Sequence, residues 1–70
     1  MNTDLKLKNI IKYIIEFADN DLEESRLPDN EILAGKVIGY ASCLKIIRDE
    51  IDEDDWAKYG LDFDIDKKYM

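Results

Sequence analysis

Between Asp49 and Asp55 six of seven positions are carboxylates, and Trp56 follows directly. A few residues on, Asp62-Phe-Asp-Ile-Asp66 places an aspartate at every second position. Upstream lies one thiol, Cys43, and the chain has no histidine. Acid–base catalysis, cation binding, nucleophilic attack and electrostatic docking all use such groups, and each makes its own demand on the neighbours.

Most of those demands go unmet. A calcium loop opens D-x-D-x-D but needs Gly at its sixth position and Glu at its twelfth. Lys67 stands at the sixth position here and the sequence has no twelfth. Structural zinc needs several Cys or His ligands, which one cysteine does not provide. A nucleophilic Cys43 would need a histidine or a basic surround to form its thiolate. A small buried thiol is the plainer reading. Paired carboxylates are plentiful, yet no Gly-rich loop or electrophile accompanies them, so the expectation is a non-enzyme with no cofactor and no metal. Direct nucleic-acid binding is disfavoured by 17 acidic against 10 basic residues, net −7, since phosphate contacts dominate such affinity. The apolar run Ile10–Phe17 is interrupted by Lys12 and Glu16, far short of a membrane span.

What remains is an acidic, aromatic docking surface. Asp49, Asp52, Glu53, Asp54 and Asp55, with Trp56, Tyr59 and Phe63, form the candidate site for a protein partner with a basic surface. Aromatic anchors are enriched at interface hot spots, and a dense carboxylate field speeds encounter with a positive groove. A blander alternative makes the acids a solvated helix end, with Trp56, Tyr59, Phe63 and Tyr69 folded back over a small core.

The elements that must position these groups read as all-α. From Asp4 to Ala18, Leu7, Ile10, Ile14 and Phe17 form one apolar stripe, and Ile11, Ile15, Ala18 and Leu22 a second beside it. Asn2 or Thr3 is the candidate cap, and Asp19-Asn20-Asp21 reads as a break. Pro28-Asp-Asn-Glu31 predicts the start of a second helix. Along it Leu33, Val37, Tyr40, Leu44, Ile47 and Ile51 repeat at 4-3-4-3-4 spacing, the strongest pattern in the chain. That helix should end near Ile51–Glu53, with Asp54 capping a short third helix through Trp56–Tyr59 that Gly60 closes. An antiparallel hairpin follows, its acidic end beside Lys6, Lys8 and Lys12. Residues 1–60 are expected to form one helical domain. Residues 61–70 are expected to be an acidic, aromatic tail, strand-like in the alternation of Leu61, Phe63 and Ile65.

Gly35 and Gly39 lie inside the second helix, where each costs about 1 kcal/mol relative to Ala. With Cys43 and Ile46 they make a flank on which another backbone can approach closely. Either the first helix packs into that flank, or a second subunit does. Both helices look apolar over more circumference than a hairpin hides, which favours a homodimeric four-helix bundle with Gly35, Gly39, Cys43 and Ile46 at its interface.

At 70 residues the chain is a single small domain, and its lone cysteine without a signal peptide suggests a reducing, cytoplasmic setting. In size and composition it resembles small acidic helical proteins of phages and mobile elements. That likeness implies an inhibitor of a host or defence protein, in one version an anti-defence protein occluding a basic nucleic-acid-binding surface. An immunity or antitoxin-like protein, and a regulatory hairpin docking on a kinase or transcription factor, are the alternatives.

Overall fold

A computed structural model describes residues 3–69. Two long antiparallel helices, α1 (Thr3–Ser25) and α2 (Glu31–Asp49), pack as a hairpin. Two single 3₁₀ turns follow, Glu53–Asp55 and Ala57–Tyr59, and then a short helix, α3 (Ile65–Tyr69). The expected all-α hairpin with a short third helical element is what the chain forms. The candidate cap Asn2 lies outside the described residues.

The core is one cluster. Ile11 and Ala18 of α1, Val37, Ala41 and Leu44 of α2, and Leu61, Ile65 and Tyr69 of the C-terminal segment are buried together. Of the two stripes on α1, the one through Ile11 and Ala18 faces the core, with those two buried and Ile15 and Leu22 half-buried, while Ile10 and Phe17 of the other stay more than half exposed. The α2 seam faces inward as its spacing requires, with Val37 and Leu44 fully buried and the rest half-buried.

Four local expectations are corrected. The helix does not break at Asp19-Asn20-Asp21. Asp19 accepts hydrogen bonds from the Tyr69 hydroxyl at 2.8 Å and from Lys68, and Asp21 lies 3.8 Å from Lys36. Carboxylates held by tertiary partners have less reason to compete for local backbone, and buried Ala18 and half-buried Leu22 carry the helix onward. Pro28 sits in the turn instead of the first helical turn. Asn30 occupies the N-cap position of α2, but its side-chain amide reaches back to the Glu24 carbonyl at 2.9 Å, near the end of α1. At its other end α2 stops at Asp49, earlier than expected, and Asp54 caps nothing. Nor do Lys6, Lys8 and Lys12 pair with residues 49–55. Among the described residues, the salt bridges join Lys58 to Asp4, Lys45 to Asp66, Lys68 to Asp19 and Lys36 to Asp21.

The C-terminal segment also differs from a strand-like tail. Leu61, Ile65 and Tyr69 recur at four-residue spacing and are all buried. The helical period therefore prevails over the two-residue alternation, because it alone puts three large side chains onto the hairpin. Asp64 starts the last helix by accepting the Lys67 amide at 3.0 Å. Gly60 makes the approach possible: its φ of 75° is left-handed, a conformation that costs other residues roughly 1–2 kcal/mol.

Candidate protein-binding surfaces

The acidic end is organised around Trp56. Its indole N–H points at two carbonyls where α2 ends: Arg48 at 3.2 Å, which also accepts the Ile51 amide, and Ile51 itself at 3.1 Å, two residues past the helix. The Arg48 guanidinium lies 4.7 Å from the centre of the indole ring and donates to the Phe63 carbonyl at 2.9 Å. Trp56 is therefore the latch between the end of α2 and the returning chain, half-buried and with its polar atom already engaged.

That latch shapes a shallow groove of about 380 Å³. It is lined by Glu53, Asp54, Trp56 and Ala57 from the turns after α2 and by Asp62, Phe63 and Asp64 from the returning segment. Four carboxylates in one groove suit the charge of an arginine or lysine side chain, while the chain's own Arg48 and Lys68 already lie 4.7 Å and 5.1 Å from the centres of the Trp56 and Phe63 rings. The four acids are exposed, so their field is screened by salt.

Of the residues expected at a partner site, Glu53, Asp54, Trp56 and Phe63 come together in this groove. Asp49, Asp52 and Asp55 are exposed but do not line it. Tyr59 is committed elsewhere: its hydroxyl donates to Asp4 at 2.9 Å, and Lys58 reaches the same carboxylate at 3.3 Å. Those two contacts, the tyrosine's first, hold the Asp4 carboxyl below its ordinary range. They raise Lys58 and Tyr59 in return. Asp62 and Asp64 were the groove residues missed. In the sequence their spacing reads as a calcium-loop fragment and as part of an acidic tail, whereas the left-handed turn at Gly60 brings them into one groove with Glu53 and Asp54. Among the described residues no group of three or more His, Cys, Asp or Glu side chains is placed to hold a metal ion.

The second surface is the glycine flank. Gly35, Gly39, Cys43 and Ile46 are all exposed. A Cβ built on either helical glycine meets nothing within 4 Å. The version in which α1 packs into this flank is thereby ruled out, and within the hairpin Cys43 is an exposed free cysteine instead of a small buried thiol. The C-terminal segment covers the opposite side of the hairpin, through contacts from α3 to Lys45 on α2 and Asp19 on α1.

No helix among the described residues is long and apolar enough to cross a membrane. Comparison with protein-family models, curated proteins and solved structures gives no match to this chain.

Proposed function

We propose that this protein is a small, acidic, non-enzymatic interaction protein that binds a basic surface of a protein partner and blocks it. The observation that carries this reading is the groove lined jointly by Glu53, Asp54, Asp62 and Asp64 and by Trp56 and Phe63. A partner whose basic surface serves to hold nucleic acid would lose that function when the groove takes one of its arginines or lysines, which is the anti-defence version of the role. Two copies of the hairpin assemble into a four-helix bundle, so each assembly carries two such grooves. A lone cysteine, with no second thiol in the chain to pair with, suits a reducing, cytoplasmic setting.

The test is capture of partners from a bacterial lysate by the full chain at low and high salt, with mass-spectrometric identification. A basic partner retained at low salt and released at high salt is the expected result. The double reversal Glu53→Lys/Asp54→Lys should abolish that capture, whereas Asp49→Lys, outside the groove, should weaken it only modestly. Capture indifferent to the groove reversal refutes the proposal.

A further inference from the structure

Beside the acidic groove the surface changes sign. Phe63 and Asp64 also line a second, wider depression of about 690 Å³, between the end of α1 and the segment that forms α3. Its other lining residues are Leu22, Arg26, Lys67 and Lys68. Three of the six are thus cations and two are apolar, in a chain with 17 acids against 10 bases. The acidic groove next to it has four carboxylates and no cation among its lining residues.

Two of the three cations are not neutralised within the fold. Lys68 is: its ammonium lies 3.1 Å from the Asp19 carboxylate and 5.1 Å from the centre of the Phe63 ring. Arg26 donates from one guanidinium nitrogen to the Lys68 carbonyl at 3.0 Å, a contact that holds the side chain in place and leaves its charge without an acid. Lys67 is exposed, and among the described residues neither it nor Arg26 enters a salt bridge. Asp64, the one acid of the depression, already accepts the Lys67 amide. Leu22 and Phe63 are half-buried, so apolar surface stays open between the charges.

Resting on the acidic-groove reading above, we infer that this depression is the second half of one docking surface. It takes an acidic residue and an apolar neighbour from the same partner segment whose arginine or lysine enters the acidic groove. A carboxylate answers the charge of Arg26 and Lys67, and an apolar side chain covers Leu22 and Phe63. The partner segment is therefore a peptide of mixed sign. A phosphate backbone or an anionic lipid surface would also bring negative charge over Glu53, Asp54 and Asp62, in the groove that shares Phe63 and Asp64. A uniformly basic segment would meet Arg26 and Lys67 at the same disadvantage. Two adjoining fields of opposite sign select a partner by what they repel as well as by what they attract.

The test is titration of the isotope-labelled full-length protein with short peptides at low salt, followed through its backbone amides. The mixed peptide has one arginine, a Gly-Ser-Gly linker, then glutamate and leucine; in its control, glutamine replaces the glutamate. The mixed peptide should bind about fivefold more tightly than the control. It should move the amides of Leu22, Arg26 and Lys67 as well as those of Glu53 and Asp54. Lys67→Glu, at an exposed position, should erase the preference while leaving affinity for the control within about twofold. The same variant should come to favour a peptide with lysine in place of the glutamate. Equal affinity of the parent for the two peptides overturns the second half and leaves the acidic groove standing. Binding of neither peptide overturns both. If inorganic phosphate moves the Arg26 and Lys67 amides as far as the mixed peptide does, the depression is a site for any anion and the inference falls. It falls equally if raising the protein concentration alone moves them, since a second copy is then the occupant.

Discussion

Replacing Gly35 and Gly39 by alanine should stabilise the isolated hairpin. Both glycines are helical and exposed, and a Cβ at either one meets nothing within 4 Å. The helix-propensity gain, about 1 kcal/mol per site, therefore stands without a steric penalty to offset it. Together the two changes are worth about 2 kcal/mol. A domain of this length has a stability of only about 4–10 kcal/mol, so the effect is large. It should raise the melting temperature by about 8–16 °C. With a urea m-value near 1 kcal/mol/M, the midpoint should rise by about 2 M. The assay is urea unfolding at the lowest workable concentration, followed by circular dichroism and by Trp56 fluorescence. If Gly35→Ala is neutral or destabilising in the dilute monomer, the reasoning fails, because the helix would not be open at that position.

Tyr69→Phe should cost about 1.5 kcal/mol at neutral pH, since it removes a hydrogen bond to the Asp19 carboxylate from a side chain only 5% exposed. Burial, and then that bond, push the Tyr69 phenol well above its ordinary range. A raised folded-state pKa means that this contribution is complete below about pH 10 and is lost as pH climbs from there toward the folded value. Stability measured from pH 8 upward should therefore fall beyond about pH 10 more steeply in the parent than in Tyr69→Phe. Trp56→Phe should cost about 1–2 kcal/mol, seen as a lower urea midpoint by circular dichroism, because two carbonyls at the end of α2 lose their shared donor. A midpoint unchanged by that substitution would show that solvent serves those carbonyls equally well.

The hairpin was legible because its signal is redundant. Six seam positions from Leu33 to Ile51 and two stripes on α1 each specify the same helical period. Gly60 marked the reversal correctly, since only glycine takes its backbone angle at low cost. Asp19-Asn20-Asp21 misled because turn preference is a local quantity, whereas the partners of those acids come from as far away as Tyr69. The segment after Gly60 carried two periods at once, and choosing between them required knowing that α2 had a side left to cover. Trp56 was legible as an anchor but not as to what it holds: its acceptors, the carbonyls of Arg48 and Ile51, come together only because the chain turns after Asp49. The acidic groove was half legible, one wall from the density of Asp49–Asp55, the other hidden until the chain turned back.

The two tyrosine–aspartate bonds have a consequence for how the chain is made. Tyr59 reaches back to Asp4, and Tyr69 to Asp19, across 55 and 50 residues. Until Leu61, Ile65 and Tyr69 dock, Ile11, Ala18, Val37, Ala41 and Leu44 lack the cover that buries them, so the inner side of the hairpin is closed only by the part of the described chain that is made last.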